Sequence, residues 1–445
     1  MNAAELAGKR VTVMGLGRFG GGMGATKWLA SQGAIVTVTD ILPAAKLAEP
    51  VAEIQPLVES GRVRLALGRH VESDFTQADL VVANPAVPHP WDDKYLLAAE
   101  RAGVPITTEI AMVVEAIKPG TMTIGTTGSA GKSTTTAMIA HALEKTGHKV
   151  ALGGNIGGSL LESPPDESTI VVLELSSFML YWLDRLVKWS PRVAVVTNIT
   201  PNHLDWHQTF ENYAECKLHL LRHQNPEDFA VLGPDLAAER SHACGKVLVI
   251  PPSSFGMPPL EVPGAHNRVN AAMALAAASM ASPSTPAGAI LRELRNFPGL
   301  IHRLQLAHES RGGGVRFWND SKCTTPEACL KAVEALSEAE PGDVSRIHLI
   351  AGGYDKGSDL SPIAALAPKL AGLYCIGATG PTLAKASGRH VEVCGTLDRA
   401  VRAAAARARP GDYVLLSPGC ASWDQFTNYE YRGDAFVKLV KEVAP

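Results

Sequence analysis

Residues 123–136 read Thr-Ile-Gly-Thr-Thr-Gly-Ser-Ala-Gly-Lys-Ser-Thr-Thr-Thr. A short β-prone run leads into three glycines, Gly125, Gly128 and Gly131, and a predicted helix over 134–145 follows. Glycines let the backbone curl so that its N–H groups point inward, and the start of a helix attracts anions. This order of strand, glycine loop and helix predicts a phosphate-binding loop.

The residues after the last glycine supply the charge and the hydroxyls that such a loop needs. Lys132 would add a mobile cation for the outer phosphates, and Ser133 or Thr134 would offer a hydroxyl to Mg²⁺. The spacing departs from that of a standard P-loop, because Thr126 stands five residues before Gly131, where glycine is usual. The alternative is a structural glycine-rich turn with Lys132 in solvent.

The length and composition are those of a multidomain globular protein. The chain has 445 residues, 46% of them hydrophobic and 19% charged, which predicts two or three domains. A net charge of −3 gives no reason to expect nucleic acid or an anionic membrane as a partner. The seven cysteines form no Cys-x-x-Cys pair, so we expect reduced thiols rather than disulfides or a zinc site. With no signal-peptide core and no apolar run long enough to cross a bilayer, we expect a cytoplasmic protein.

The first third of the chain carries a nucleotide-binding pattern. Predicted strands over 11–14 and 35–39 flank Gly-Leu-Gly-Arg-Phe-Gly at 15–20, and Asp40 ends the second strand. This arrangement is typical of dinucleotide sites, in which the acidic residue binds a ribose. NAD is the first interpretation, although the same turn can hold the pyrophosphate of any nucleotide or be purely structural. A proline-rich loop that begins at Asn84 follows the next predicted strand, at the edge where open α/β sheets bind ligands.

Two residues beyond the phosphate-binding loop are candidate metal ligands. Glu174 ends an apolar strand predicted over 170–173, and a carboxylate in that position downstream of a P-loop usually binds Mg²⁺. The alternative is an acidic residue that simply leaves the strand. His203 lies in a loop after another predicted strand, but histidine is an unusual ligand for Mg²⁺, so its role stays open.

Lys217 is an anomaly in the helix predicted over 210–223. Tyr213, Leu220 and Leu221 lie three or four residues from it and therefore share its face of the helix. An unpaired ammonium on an inward face is costly. Either the side chain reaches solvent along the surface, or it faces the metal and phosphate site.

The last third again alternates strands with helices, which predicts a mainly parallel sheet. Three polar loops follow predicted strands, at 319–324, 352–357 and 417–422. Because the carboxyl ends of parallel strands share one edge of a sheet, these loops predict a substrate site. The alternative is a purely structural domain.

Eight motifs together resemble those of the Mur ligases, the ATP-dependent amide-forming enzymes of peptidoglycan precursor synthesis. The resemblance covers essentially the whole chain, and the Asp-Lys-Gly loop and the last motif favour the glutamate-adding members. The motifs are Gly-Ser-Ala-Gly-Lys-Ser-Thr at 128–134, Glu-Leu-Ser-Ser-Phe at 174–178, Asn-His-Leu-Asp at 202–205, His-Asn-x-x-Asn at 266–270, His-Arg at 302–303, Asn-Asp-Ser-Lys at 319–322, Gly-Gly-Tyr-Asp-Lys-Gly at 352–357 and Ser-Pro-Gly-Cys-Ala-Ser-Trp-Asp-Gln-Phe at 417–426.

The resemblance implies an α/β chain with three domains. These are a Rossmann-like UDP-binding domain over 1–105, a central P-loop ATPase-like domain over 106–298 and a Rossmann-like amino-acid-binding domain over 299–445. It also implies that ATP drives amide formation between the carboxylate of UDP-N-acetylmuramoyl-L-alanine and the amine of D-glutamate, through an acyl phosphate. The protein would be a cytoplasmic monomer that uses ATP and two Mg²⁺ ions and binds neither nucleic acid nor a membrane.

The resemblance implies a role for each matching residue. ATP would be held by Gly128, Ser129, Gly131, Lys132, Ser133, Thr134, Asn270, Arg303 and Asp320. The UDP substrate would be bound by Gly15, Leu16, Gly17, Arg18, Phe19, Asp40, Asn84, Asn155 and Ser176. The incoming glutamate would meet Lys322, Thr324, Lys356, Ser422 and Tyr429. The metal ligands would be Ser133, Glu174, His203 and Lys217, the last as a CO₂-derived carbamate, and the catalytic residues Lys132, Glu174, His203, Lys217 and Lys356.

Three positions depart from the usual motifs of the family: Ala130, Met179 and Asn84. Met179 stands where glutamine is usual, and it cannot donate a hydrogen bond to the substrate. Three rival hypotheses stay open: a related ligase that adds L-glutamate or uses another carboxylate such as a folate, an NAD-dependent oxidoreductase with an accessory ATPase domain, and a non-catalytic nucleotide-binding regulator. The nucleotide unit over 15–40 argues against a folate substrate, since the folate-type relatives lack such a first domain.

Overall fold

The computed structural model describes residues 3–17, 21–251, 257–310, 314–337, 343–388 and 391–444. Three β-sheets, in which parallel pairing predominates, alternate with helices along the chain and confirm the predicted α/β class. The chain forms two compact units, Met1–Gly256 with Val269–Leu294 and Met257–Arg268 with Arg295–Pro445. Within the described residues, no helix combines the length and the apolar character needed to cross a bilayer.

The first sheet has five parallel strands in the order β3-β2-β1-β4-β5. The strands are Arg10–Met14 (β1), Ile35–Asp40 (β2), Val63–Leu67 (β3), Leu80–Ala83 (β4) and Ile106–Thr108 (β5), and the helices are Ala3–Leu6 (α1), Gly21–Ser31 (α2), Ala48–Glu59 (α3), Glu72–Thr76 (α4), Lys94–Arg101 (α5) and Glu109–Ala116 (α6). The strand order reverses beside β1, which is where such sheets bind ligands. Because β5 pairs with β4, this sheet continues past the domain boundary predicted at residue 105.

The second sheet has six parallel strands in the order β11-β10-β9-β6-β8-β7. The strands are Thr123–Thr127 (β6), Val150–Gly154 (β7), Ile170–Glu174 (β8), Val193–Val196 (β9), Phe229–Leu232 (β10) and Lys246–Val249 (β11), and the helices are Lys132–Lys145 (α7), Ser177–Leu186 (α8), Leu204–His207 (α9), Phe210–Arg222 (α10), Ala265–Ala281 (α11) and Ala287–Arg295 (α12). The phosphate-binding loop leaves the inner strand β6. The register sets Thr126 of β6 beside Glu174 of β8, so the predicted metal ligand lies one strand from that loop.

A buried apolar cluster joins the first two sheets within the first unit. Val11 and Val13 of β1 belong to the same cluster as Val171 and Leu173 of β8, and none of the four is more than 1% exposed. Burying a side chain of this size contributes about 1.5–3 kcal/mol. The two sheets are therefore held together by core packing, which makes the contacts between them part of one unit.

The third sheet belongs to the second unit and has the order β12-β13-β17-β14-β15-β16. The strands are Gln305–Glu309 (β12), Arg316–Asn319 (β13), Ile347–Gly352 (β14), Gly372–Ile376 (β15), Val391–Gly395 (β16) and Tyr413–Leu416 (β17), and the helices are Pro326–Leu336 (α13), Ser361–Ala364 (α14), Gly380–Ser387 (α15), Leu397–Arg407 (α16) and Tyr429–Val443 (α17). β12 is antiparallel to β13, and the other pairs are parallel. Since β13, β17 and β14 are neighbours, their carboxyl ends bring the three predicted polar loops to one edge.

Candidate active site

The phosphate-binding loop wraps the amino end of α7. Gly131 caps this helix in the left-handed conformation, with φ of 80°, and a Cβ there would lie 2.6 Å from Asn270 Oδ1. Only glycine allows both the conformation and the close approach. Lys132 Nζ donates to Gly128 O at 2.9 Å and to Ser129 O at 3.3 Å. The structure therefore brings the predicted residues Gly128, Ser129, Gly131, Lys132 and Asn270 together in the first unit.

Two residues at the end of β9, which the sequence did not single out, fix the shape of this loop. Asn198 accepts from Ala130 N and donates to Ala130 O, both at 3.0 Å, and its own carbonyl accepts from Ser129 N at 2.9 Å. Thr197 Oγ1 donates to Ala130 O at 2.6 Å. The Ala130 side chain is exposed, while its backbone is held from both sides. The backbone of the loop is thus fixed independently of the unusual side chain at position 130.

Replacing Asn198 by alanine should raise the KM for ATP about tenfold, since the loop would lose hydrogen bonds that are worth about 1 kcal/mol each. The measurement is the rate of ADP formation against ATP concentration. Asn225→Ala is the matched control, because Asn225 precedes β10 at the opposite edge of the sheet and bonds Asp228. An unchanged KM in Asn198→Ala would contradict a role for Asn198 in shaping the loop.

Glu174 is a completely buried carboxylate with one unsatisfied oxygen. Its Oε1 accepts a hydrogen bond from Asn155 Nδ2 at 3.0 Å, whereas its Oε2 is buried without a hydrogen-bond partner. A buried carboxylate oxygen is costly unless it is paired, and a divalent cation is a suitable partner. Among the described residues, no three His, Cys, Asp or Glu side chains lie close enough to hold a metal. A magnesium ion at Glu174 would therefore need hydroxyls, water or a modified side chain as further ligands.

Lys217 points at the phosphate-binding loop rather than at solvent. Its side chain is 1% exposed, and Nζ donates to Gly128 O at 2.8 Å and lies 4.7 Å above the ring of Tyr213. Tyr213 in turn shares a hydrogen bond with Ser129 Oγ. Burial lowers the pKa of Lys217 to about 6, and the positive charge of Lys132 acts in the same direction. Lys217 forms no ion pair with an acidic side chain that the structure describes, so its amine is neutral at physiological pH.

His203 lies beside the same site. It precedes α9 with φ of 52°, and its ring packs edge-on against Phe178 at 5.0 Å. Burial lowers the pKa of His203, Asp205 opposes the shift, and the positive charge of Lys132 acts in the same direction as burial. The imidazole is therefore neutral at physiological pH, which is the form that can bind a metal.

An open cavity lies between the first and second sheets, and its space together with the solvent at its mouth amounts to about 840 Å³. Five of the predicted UDP-binding residues line it: Gly15, Gly17, Asn84, Asn155 and Ser176. Arg18 and Phe19 lie outside the described residues. Among the lining residues that the sequence did not assign are Glu109, Ser159 and Met179, the last being one of the noted departures. Asn155 both lines the cavity and bonds Glu174, so the cavity adjoins the candidate metal ligand.

Asp40 and Leu16 stabilise the backbone of the glycine loop that begins at Gly15. Asp40 Oδ2 accepts from Leu16 N at 3.1 Å and from Gly17 N at 3.5 Å, and its Oδ1 accepts from Leu42 N at 2.8 Å. The Leu16 side chain is completely buried in the core. Both residues therefore hold the backbone of the loop in the folded chain, a contribution that the nucleotide-binding pattern alone does not reveal.

The Asn84 loop is anchored by two tryptophans of the second sheet's helices. Trp206 Nε1 donates to Val87 O at 2.8 Å, and Trp182 Nε1 donates to Pro85 O at 3.3 Å. These bonds cross between the two sheets. They fix one wall of the cavity relative to the other, and sequence patterns gave no sign of them.

In the second unit, Asp320 is buried at the end of β13. Its Oδ1 accepts from Leu304 N at 3.1 Å and its Oδ2 accepts from Ser417 Oγ at 2.8 Å. Burial raises the pKa of Asp320 to about 7, although the Ser417 hydrogen bond, the Leu304 amide and the nearby Arg303 oppose the shift. Asp320 and Arg303 thus lie near each other in the second unit. Their contact with ATP stays a prediction.

Four of the five predicted glutamate-binding residues form two pairs. Thr324 and Lys356 line a small cleft of the second unit, and Lys356 Nζ lies 4.7 Å above the exposed ring of Trp423. Lys322 Nζ lies 5.6 Å from the ring centre of Tyr429. Ser422 is 2% exposed, and its carbonyl accepts from Gln425 N and Phe426 N in the turn before α17.

Arg432, which the sequence analysis missed, joins two of the polar loops. It is 1% exposed and lies on the buried face of α17 with Phe436 and Val440. Its guanidinium donates to Ser321 Oγ at 3.0 Å and to Ser321 O at 2.8 Å, and twice to Cys420 O at 3.1 Å. An arginine four residues before Phe436 was the available signal, because it breaks an otherwise apolar helix face. The pKa of Arg432 is lowered to about 10 by burial, so it stays charged.

Comparison with known proteins decides the family. The chain matches the Mur ligase middle domain over residues 126–250 and the glutamate ligase domain of the Mur ligases over residues 302–420. A UDP-N-acetylmuramoylalanine–D-glutamate ligase of Acidobacterium capsulatum is 37% identical, over 98% of this chain and 97% of that protein. The chain belongs to the Mur ligase family. Proteins of the same name from Koribacter versatilis and a Roseiflexus species are 35% and 37% identical, over 99% and 98% of this chain and 99% of each relative.

Solved structures of Mur ligases share the fold. The UDP-N-acetylmuramate-alanine ligase of Thermotoga maritima gives a TM-score of 0.61 at 18% identity, over 98% of this chain and 99% of that one. The D-alanyl-D-alanyl ligase of Acinetobacter baumannii that acts on a UDP-N-acetylmuramoyl tripeptide gives 0.55 at 16% identity, over 75% and 81%. The comparisons confirm the predicted resemblance to the Mur ligases, and with it the prediction of an enzyme of the ligase class.

Proposed function

We propose that this Mur ligase uses ATP to join the carboxylate of UDP-N-acetylmuramoyl-L-alanine to the amine of D-glutamate, as a cytoplasmic monomer. The proposal follows the name carried by relatives that match nearly the whole chain. The observation that supports it most directly is the bond from Asn155 to Glu174, because Asn155 lines the large cavity and Glu174 lies beside the phosphate-binding loop. This contact connects the cavity that would hold the substrate carboxylate with the site that would hold the phosphoryl group.

In this proposal, each of the three predicted domains binds a different substrate. Residues 1–105 with the Asn84 loop bind the UDP moiety, residues 106–298 bind ATP, and residues 299–445 bind the amino acid. Gly15, Gly17, Asn84, Asn155 and Ser176 would contact the nucleotide-sugar, while Leu16 and Asp40 would shape the loop that receives it. The roles of Arg18 and Phe19 rest on their motif alone.

The loop and α7 would bind and orient the phosphates of ATP. Lys132 Nζ already lies within the loop, on the carbonyls of Gly128 and Ser129, and the positive end of the helix dipole at the start of α7 favours an anion. Ser133 and Thr134 would offer hydroxyls, and Asn270, Arg303 and Asp320 would complete the nucleotide's surroundings. Lys132 and the backbone amides would then stabilise the negative charge that develops on the phosphoryl group during transfer.

Magnesium would bind at Glu174 Oε2, together with Ser133, His203 and a carbamate on Lys217. The unsatisfied buried oxygen of Glu174 fits this assignment. When bound, the ion would supply Lewis acidity and offset the charge of the phosphates. The carbamate would form when the Lys217 amine attacks CO₂, which makes an N–C bond and releases a proton. This would replace a buried amine, which donates to a backbone carbonyl of the loop, by a carboxylate that can hold a cation.

The reaction would run in two stages, phosphorylation of the substrate carboxylate and then formation of the amide. The substrate carboxylate attacks the γ-phosphorus of ATP and ADP leaves. The glutamate amine, placed by Lys322, Thr324, Lys356, Ser422 and Tyr429, attacks the carbonyl carbon of the acyl phosphate, loses a proton and expels phosphate. An acyl phosphate hydrolyses readily, so the site must exclude water until the amine arrives.

With ATP and Mg²⁺, ADP is expected only when UDP-N-acetylmuramoyl-L-alanine and D-glutamate are both present. The assay measures phosphate release with this substrate against a panel of D- and L-amino acids. Lys132→Met should abolish the signal, whereas Lys145→Met, at the exposed end of the same helix, should leave it unchanged. Release of ADP without an amino acid, or a preference for L-glutamate, would overturn the proposed reaction. Tight binding of NADH without binding of the UDP-sugar would favour an oxidoreductase instead.

A further inference from the structure

Glu109 is a buried carboxyl group in the wall of the nucleotide-sugar cavity. It is the first residue of α6 and is 7% exposed. Its Oε1 accepts a hydrogen bond from Ser159 Oγ at 2.5 Å, and its Oε2 lies 4.0 Å from the position that a Cβ on Gly21 would occupy. The carboxyl group therefore lies next to the first turn of α2, and no role described above uses it.

The contact between Glu109 and Ser159 is built into the packing of the two sheets. Ser159 belongs to the glycine-rich loop after β7, and a Cβ on Gly24 of α2 would lie only 2.5 Å from Ser159 Cβ. Glycine at position 24 is therefore required for this loop to approach α2 so closely. Ser159 Oγ also accepts from Leu161 N at 3.3 Å, which fixes the hydroxyl in place. The carboxyl group is thus held in the cavity wall by both sheets.

The surroundings of Glu109 give it no charged partner among the described residues. The other described residues of the cavity wall come from the glycine loop, α2, β1, β4 and the second sheet. None of their side chains carries a titratable group. Its polar neighbours there are Asn84, Asn155, Ser159 and Ser176. Burial raises the pKa of Glu109 to about 7, and the Ser159 hydrogen bond acts in the opposite direction.

We propose that Glu109 binds the diphosphate of the nucleotide-sugar as a neutral carboxylic acid, so that substrate binding takes up a proton from solvent. In the empty cavity, the positive starts of α2 and of its own helix offset part of the cost of burying an ionised Glu109. A diphosphate that binds at the start of α2 competes for that position and repels a second anion at close range. Protonation removes the repulsion and turns Glu109 into a hydrogen-bond donor. This inference rests on the proposed function, because it needs an anionic nucleotide-sugar in the cavity.

The direction of the pH dependence follows from linkage. The pKa of Glu109 lies near 7 in the free protein and is raised further in the complex, so proton uptake occurs only between these two pKa values. Uptake is small at about pH 6, where the free carboxyl is already mostly protonated, and it is large at about pH 8. In that window the affinity falls by up to about tenfold per pH unit. The diphosphate diester and the carboxylate of the substrate stay ionised throughout and add no proton of their own.

Isothermal titration of the full-length protein with UDP-N-acetylmuramoyl-L-alanine, in pairs of buffers with different ionisation enthalpies, tests the inference. Wild type should take up protons on binding, more at about pH 8 than at about pH 6. Glu109→Gln, which keeps a donor of the same shape, should bind without this uptake and with a flat pH profile. Glu115→Gln, an exposed carboxylate on the same helix, should behave as wild type.

Ser159→Ala gives an independent check that does not alter the carboxyl group itself. Loss of the hydrogen bond raises the pKa of free Glu109, so proton uptake at about pH 7 should decrease and the profile should shift to higher pH. Equal proton uptake in wild type and Glu109→Gln, or no uptake by wild type at any pH in this range, would overturn the role of Glu109. Failure of wild type to bind the nucleotide-sugar would overturn the proposed function, and the inference with it.

Discussion

Replacing Lys217 by alanine is expected to lower the rate of amide formation roughly 10²–10³-fold, and short carboxylic acids such as acetate should restore part of the activity. The Lys217 side chain is 1% exposed and its Nζ lies 2.8 Å from Gly128 O, so its loss leaves a space beside the phosphate-binding loop. A small carboxylate in that space can replace the oxygens of the proposed carbamate. The size of the loss is that expected when one group that stabilises the transition state is removed.

Lys217→Met is the matched control for this rescue. Methionine fills the space of the lysine but cannot react with CO₂, and it leaves no room for acetate. It should fold, because it removes a buried amine, and should be inactive with or without acid. Activity is measured as ADP formation with both substrates over a range of acetate concentrations. Equal rescue of both variants would indicate a bulk effect of the acid, and no rescue of Lys217→Ala would count against carbamylation.

Arg432→Met should lower the midpoint of thermal unfolding by roughly 5–10 °C, which corresponds to a loss of about 3 kcal/mol. The substitution leaves the carbonyls of Ser321 and Cys420 buried without their donor, and each unsatisfied group costs about 1–3 kcal/mol. The loops at 319–324 and 417–422 lose the side chain that ties them together. We therefore expect the KM for D-glutamate to rise together with the loss of stability.

Two further variants separate the role of Arg432 from a general effect of charge. Arg402→Met removes an exposed arginine of α16 that pairs with Asp398 and Glu442, and surface pairs of this kind contribute little. Its unfolding midpoint should hardly change. Arg432→Lys keeps the charge but cannot make the forked set of bonds, so it should lose most of the stability as well. A wild-type midpoint and KM in Arg432→Met would show that the buried guanidinium does not hold the loops.

Much of the fold could be predicted because local patterns suffice for it. The strand before Gly15, the strand before Gly128 and the alternation of strands with helices in the last third all appear in the structure. Shorter or less apolar elements were missed, among them β5 and β12, since three to five residues carry too little periodicity. Helical structure between β14 and β15 is short: α14 ends at Ala364, and a single 3₁₀ turn follows at Ala367–Lys369.

The candidate site was partly visible in advance for a different reason. Glu174 was noticed because it directly follows a predicted strand, and His203 because it lies in a loop after another. Lys217 was noticed because a cation interrupts an apolar helix face. Asn198, Glu109 and Arg432 give weaker local signals, although each is fixed by several hydrogen bonds or by burial. Their importance comes from partners that are distant in the chain, such as Ser159 for Glu109, and no local pattern contains that information.

The amino-acid sequence was enough to specify the α/β class, the phosphate-binding loop and the order of the polar loops along the chain, because glycine spacing and hydrophobic periodicity act over a few residues. The tertiary structure was needed to turn Lys217 toward Gly128, to join Asn155 to Glu174 and to bury Glu109 in the cavity wall. These outcomes depend on which strands pair and on how closely two sheets pack. Burial and electrostatics, which set the pKa values of Lys217 and Glu109, exist only after that packing has brought distant residues together.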